Sequence, residues 1–472
     1  MNEDEYLSYD ALGLAELVSQ KEVTPRELLE CAEKRYQSHN PLLNAVVTPM
    51  WDQANEAIED GLPKGAFSGV PMPLKDLGQH YKGVVTTNGS RLFADNVSDH
   101  DSTLVERYKA SGLVLSSKTN TPEFGLATTT EPVLHGASRN PWSHSHSTGG
   151  SSGGAAAAVS SGIFPVAHAS DGGGSIRIPA SCCGLFGLKP TRGRVPLGPS
   201  TLEGWGGLST THVVSRTVRD SAALLDISAG PEPGSPYHAP YFPESFSSAA
   251  ARQPNNLRIA ICLDTFNGAT VNKEVVALTQ ASAEKLESLG HRVDPINHSF
   301  DAELVRDSHG TLAISNIGAM LRTKAAILGR PITSEDVELT TWNNFQSSKA
   351  LSAADYAQAV TQIHHNGQKL AAIFRDYDLI LTPTMACLPP KLGELDTTSD
   401  DVETYLTLLY QMIGFTALLN DTGNPAASVP MAMSNDGLPV GCQLIADFGG
   451  EALLLSASQQ ISDAGYFTKS LA

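Results

Sequence analysis

Ser151 and Ser175 stand 24 residues apart, each in a glycine-rich stretch: GGSSGG at 149–154 and DGGGS at 171–175. A serine is a weak nucleophile until a neighbouring base takes its proton. Glycines beside it let backbone N–H groups approach a substrate oxygen without interference from a Cβ, which is what an oxyanion hole requires. The pattern suits acyl transfer, although Gly-Ser clusters on their own are most often simple turns. The concentration is local, with 11 glycines in the 46 residues from Gly149 to Arg194 against 41 in the 472 of the chain. AAAAV (Ala155 to Val159), FPVAHA and LFGLKP interrupt it, and a flexible linker would lack such core-forming pieces.

Three other chemistries fit the same residues less well. Gly149-Gly150-Ser151-Ser152-Gly153 matches G-x-S-x-G, but a nucleophile elbow needs a buried strand before the serine, and HSHST precedes it here. That elbow also needs an acid and then a histidine further on, and His365 is the last histidine in the chain. No Gly-Lys-Ser/Thr follows the glycines, so a phosphate loop is excluded. Arg177 stands where a dinucleotide fingerprint needs its third glycine.

The elements that must hold these turns read as alternating strands and helices, the sign of an α/β sheet. Residues 23 to 37 open with Thr24, Pro25 and Glu27 as N-cap, first helical residue and capping-box acid, and Leu28, Leu29 and Ala32 follow at helical spacing. Gly69 to Leu77 reads as a buried strand entering a turn. Thr103–Ser111 is helical in pattern, and Leu113–Ser116 and Phe164–Ala169 are strand-like. Downstream, Leu257–Leu263 and Asp378–Leu381 read as strands and Ala277–Leu289 as a helix. Ser428 to Ile445 reads as two strands joined at Asn435-Asp436-Gly437. Pro231 to Pro254 reads as a long surface loop.

Hydrophobic residues make up 41% of the chain and charged residues 17%, which excludes disorder as the main state. The net charge of −18 argues against nucleic acid or an anionic membrane surface as a partner. The six cysteines form no C-x-x-C pair, and Cys182-Cys183 sits in an apolar context that reads as core. The acidic N-terminus and the lack of an apolar run of about 20 residues point to a cytoplasmic setting without membrane spans. His144 and His146 share a strand face, but no third metal ligand accompanies them, so an exposed loop is the reading. His364-His365 falls on a helix and has no readable role.

The stretch from Gly149 to Pro196 closely resembles the amidase signature family. So do PLKD (Pro73 to Asp76), KTNTPEFG (Lys118 to Gly125), SRNPW (Ser138 to Trp142) and NPAASVPMAMSNDGLPVGCQLIA (Asn424 to Ala446). Within that family, TTTEPVLHGASRNPW and the segment Gly329 to Glu338 look most like the nylon-oligomer (aminohexanoate cyclic dimer) hydrolases. The resemblance implies a single α/β domain over 1–472, a central mixed twisted sheet covered by helices on both faces. Within it, 65–220 would be the catalytic core, 230–420 a variable pocket-forming region, and 421–472 a return to the core.

It also implies a Ser-Ser-Lys triad with Ser175 as nucleophile, Ser151 as a bridging serine after a cis peptide bond, and Lys75 as base, with no metal and no cofactor. Lysine can accept a proton only when neutral, so burial must lower its ordinary value near 10.4, and the apolar approach from Val70 to Leu74 supplies burial. In a strand Asp76 would face away from it. The oxyanion would be held by N–H groups of Gly172, Gly173, Gly174 and Ser175. Gly172 departs from the family, which usually has Thr, Ile or Leu there, so the hole gains backbone freedom. Asp171, Arg177 and Ser152 match supporting positions, and Gly125 and Thr128 match or follow the substrate pocket. The expected reaction is hydrolysis of small amides, with linear or cyclic amide oligomers, aryl amides, esters and urethanes as candidates, by a monomer or homodimer. Two rivals are the amidase subunit of a tRNA-dependent amidotransferase and a catalytically silent binding protein on the same fold.

Overall fold

A computed structural model describes residues 1–468 of the chain. In chain order its strands are β1 (Val46–Pro49), β2 (Pro71–Lys75), β3 (Val114–Thr119), β4 (Arg139–Asn140), β5 (Ser143–Ser147), β6 (Val166–Asp171) and β7 (Phe186–Lys189). Then come β8 (Thr210–Ser215), β9 (Arg258–Ile261), β10 (Arg292–Pro295), β11 (Leu379–Pro383), β12 (Ala426–Met433) and β13 (Pro439–Ile445). Eight of them form one mixed sheet in the order β10-β9-β11-β13-β12-β7-β8-β6. β10, β9 and β11 run parallel, and every later pairing is antiparallel. The central strands are buried along their length, because helices cover the sheet and leave no face for polar alternation.

The strand that carries Lys75 lies outside this sheet. β2 belongs to a separate three-stranded sheet, β1-β3-β2, so the single central sheet expected from the sequence is joined by a second one. Its sequence, PMPLK, explains the position. Two prolines cannot donate to a ladder on both sides, and β2 pairs only with β3, as an edge strand. Alternation puts Pro71, Pro73 and Lys75 on one face. The Lys75 N–H reaches β6, the edge of the large sheet, by donating to His168 Nδ1 at 3.2 Å.

The helix expected at residue 23 begins at Pro25 with the Thr24–Glu27 capping box in place, and it runs to Leu43, through Pro41. The segment from Pro231 to Pro254 is not all loop, because Phe246–Ala250 is helical, with Ser245 as its N-cap and Phe246 buried. His144 and His146 lie on β5, paired with β4, and not in a loop; among the described residues no group of three candidate ligands could hold a metal. Cys182 and Cys183 are fully buried, and no helix among the described residues is long and apolar enough to cross a membrane.

Candidate active site

Three segments converge on the two serines. β6 ends at Asp171, the chain turns through Gly172–Ile176, and the helix Arg177–Cys183 follows. Ser151 precedes the wholly buried helix Gly153–Ser160, after a cis peptide bond with Gly150. Thr130 clamps this second turn: its hydroxyl donates to Gly149 O at 3.0 Å and accepts from Gly153 N at 3.1 Å. Ser152 ties the turn to β6, with its Oγ donating to Ser170 O at 3.1 Å and accepting from Ser170 N at 3.2 Å.

Lys75 reaches this point from β2. Its Nζ lies 2.7 Å from Ser151 Oγ and 3.0 Å from Ser170 Oγ. The side chain has no solvent exposure, and burial lowers its ammonium from 10.5 to about 7, against a partial opposing pull from Asp171. Asp76 does not restore the charge, because its carboxylate accepts from Thr87 N at 3.0 Å and from the Thr87 hydroxyl. His168, behind Lys75, is held well below its ordinary value by burial and by Lys75. Its Nδ1 accepts from Lys75 N, and its Nε2 lies 2.5 Å from a Thr211 hydroxyl that donates to Ala169 O, so the neutral ring carries its proton on Nε2.

A fully satisfied ion pair stiffens the nucleophile turn. Asp171 and Arg177 are completely buried and joined as a fork, Nε to Oδ2 at 2.9 Å and Nη2 to Oδ1 at 2.8 Å. The other guanidinium hydrogens go to Thr416 O, Gln443 Oε1 and Asn420 Oδ1. Although burial acts the other way, the guanidinium holds the Asp171 carboxyl far below the usual carboxylate range. Asp171 also accepts from Gly174 N at 2.7 Å and Ile176 N at 3.1 Å, the amides on either side of Ser175.

That bonding corrects one expectation. The Gly174 N–H is spent on Asp171 and is not available to an oxyanion; among the described residues the N–H groups of Gly172, Gly173 and Ser175 have no such partner. Gly174 is still required, at φ 137°, because a Cβ there would meet Ile178 Cδ1 at 2.6 Å.

Ser175 is 8% exposed and opens onto a cleft with about 190 Å³ of free space. Gly173, Gly125 and Thr128 line the cleft beside it, and Thr128 is held through its hydroxyl to Met412 Sδ at 3.1 Å. Gly125 lies against the bridging serine, since a Cβ on it would come 3.1 Å from Ser151 Oγ. The helices Ala302–Leu328 and Val402–Ile413 supply other walls, and His309 of the first stands against the nucleophile turn, since a Cβ on Gly173 would come 3.1 Å from its Nε2. The segment ending at Glu338 reaches the stretch from Thr128 to Trp142 directly, because Val133 N donates to Glu338 Oε1 at 2.8 Å.

Sequence reasoning passed over Ser170, His168, Thr416, Asn420 and Gln443. Ser170 carried a signal, since two residues before it His168 points to the same side of β6. The other three lie more than 240 residues from Arg177 or close to it, and no local pattern marks them.

Residues 27–455 match the family model described as Amidase. The chain is 36% identical over 468 residues to the 6-aminohexanoate-cyclic-dimer hydrolase of Paenarthrobacter ureafaciens, covering 96% of this chain and 94% of that protein. A solved structure of a 6-aminohexanoate cyclic dimer hydrolase matches with a TM-score of 0.91 at 36% identity and 97% coverage of each chain. A bacterial aryl acylamidase of the amidase signature family matches with a TM-score of 0.88 at 27% identity, again over 97% of each chain.

Proposed function

The chain belongs to the amidase family, hydrolases of carbon–nitrogen amide bonds, and from that premise we propose that Ser175 attacks the amide carbonyl while Ser151 relays its proton to Lys75. The observation that carries this reading is the 2.7 Å contact between Lys75 Nζ and Ser151 Oγ, made by a lysine that burial brings to about 7. Near neutral pH a large fraction of Lys75 is uncharged, so Nζ can accept the hydroxyl proton of Ser151, which in turn takes that of Ser175.

As the bond forms, the carbonyl oxygen gains negative charge, and the N–H groups of Gly172, Gly173 and Ser175 receive it. The proton then returns from Lys75 through Ser151 to the leaving nitrogen, and the amine departs. Water, activated by the same relay, hydrolyses the acyl-enzyme. Esters follow the same path with a better leaving group. Ser170 Oγ, 3.0 Å from Nζ, gives the lysine a second polar contact and fixes its direction.

The substrates that fit are amide oligomers, linear or cyclic, and aryl amides, since the cleft is mostly apolar and opens beside the nucleophile. The test is Ser175→Ala assayed against anilides and oligoamides. Turnover should fall by at least about a thousandfold, and greater residual activity would remove Ser175 as the nucleophile.

A further inference from the structure

Along the helix Ala302–Leu328, Val305, Arg306, His309, Gly310, Ala313 and Ile314 face the cleft, the spacing of a single helical face. Two of these can carry positive charge, and their situations differ. His309 Nδ1 is joined to Asp421 Oδ1 at 2.8 Å, and that carboxylate is wholly buried, so any charge on the ring is already matched. Arg306 has no such partner. Its Nη1 donates to Asn267 O at 2.5 Å and its guanidinium lies 5.5 Å from the centre of the Tyr410 ring, and both of those residues also line the cleft. Among the described residues no ion pair joins Arg306 to a carboxylate.

The rest of the lining sharpens the contrast. It holds no aspartate or glutamate, and Leu406, Leu409, Ile413 and Trp205 make much of it apolar. A single uncompensated guanidinium therefore stands on the wall of an apolar cleft, in a chain whose net charge is −18. One of its five N–H donors is spent on the protein. The remaining donors form a planar fork that suits a carboxylate, and a charge removed from water is stabilised chiefly by an opposite charge.

We infer that the cleft takes amides that also carry a carboxylate, docked on Arg306. This rests on reading the cleft beside Ser175 as the amide-binding site. One positive charge matches one negative charge, and the apolar walls fit a hydrocarbon spacer between carboxylate and amide. Arg306 is thus a specificity-determining residue for the acyl or the amine half of the substrate.

The test is calorimetric binding to the full-length Ser175→Ala chain, so that affinity is read without turnover. On the acyl side, adipic acid monoanilide is compared with hexananilide; on the amine side, N-benzoyl-δ-aminovalerate is compared with N-pentylbenzamide. In one of the two pairs the carboxylate ligand should bind about tenfold or more tightly than its uncharged partner. Adding Arg306→Met should bring that ratio close to one, while Arg306→Lys should keep part of it. A ratio unchanged by Arg306→Met in both pairs overturns the inference. Should the Met variant fail to fold, Arg306→Gln reads the same ratio. Turnover of the two anilides by the unmodified chain checks the underlying reading separately: if neither is cleaved, the amidase site is misplaced, while the binding ratio still decides the role of Arg306.

Discussion

The indole of Trp205 lies against Gly172, so that a Cβ built on this glycine would come within 3.0 Å of ring atom Cε3 and 3.1 Å of Cζ3. The space that a side chain on Gly172 would fill is thus taken by the Trp205 ring. Trp205 sits on a tight turn at φ 52°, followed by Gly206 at φ 64°, which aims the ring inward. The freedom that a glycine would otherwise bring to the oxyanion loop is restricted by this packing.

Trp205→Ala should therefore lower kcat on anilides by about tenfold, because the loop that presents the Gly172 and Gly173 N–H groups loses its cover. Gly172→Ala alone should also lower kcat, since the ring must give by a few tenths of an ångström. In the Trp205→Ala background the same Gly172→Ala should be neutral or restoring. The measurement is a double-mutant cycle on kcat; strictly additive effects would show that the two residues do not act together.

The pH profile follows from Lys75. The base must be uncharged, and its value is about 7, so kcat/KM should rise with pH through that region and level off above it. At pH 5 the rate should be lower than the plateau by about a hundredfold. Lys75→Ala should lose most amide hydrolysis and the inflection with it. A profile that keeps an inflection near 7 without Lys75 assigns the titration to another group.

The same burial has a cost in stability, and its sign is fixed. The unfolded chain holds the Lys75 proton up to 10.5, while the folded chain holds it only up to about 7. Between these values the unfolded chain binds more protons, so stability rises with pH across the window, and the penalty is complete below 7. The size is on the order of 5 kcal/mol. Lys75→Met should accordingly raise the urea midpoint at pH 6.5 more than at pH 10, while abolishing amide hydrolysis. An equal shift at both values would mean that lysine ionisation is not the origin.

What could be read in the sequence divides along the range of the interactions. Ser151, Ser175 and their glycines lie in short motifs whose backbone needs are local, and Lys75 follows an apolar strand that announces its burial. β2, β6 and the hairpin β12–β13 were visible for the same reason, as short apolar runs bounded by turn residues. That Lys75 stands on a second sheet was not, because strand order depends on pairing between distant segments. The loss of Gly174 as an oxyanion donor depends on where the Asp171 side chain points, which composition does not encode. The cleft walls in the helix Val402–Ile413 have the same apolar spacing as core residues, so sequence pattern could not separate a pocket lining from packing.

At the buried pair Asp171–Arg177, support of the turn can be separated from catalysis itself. Arg177 is satisfied through Asp171, Asn420, Gln443 and Thr416, and Asp171 through Arg177, Asn420 and the Gly174 and Ile176 amides. Arg177→Met leaves the Asp171 charge buried without its cation, and unfolding free energy should drop by about 3–5 kcal/mol. Asp171→Leu together with Arg177→Met removes both charges, so the double variant should be more stable than Arg177→Met alone. Activity should not follow that recovery. With Asp171 gone, the Gly174 and Ile176 amides lose the acceptor that holds Ser175 between them, and kcat should stay low even where the urea midpoint returns. A double variant that regains both stability and kcat would show that the carboxylate stabilises the fold without positioning the nucleophile.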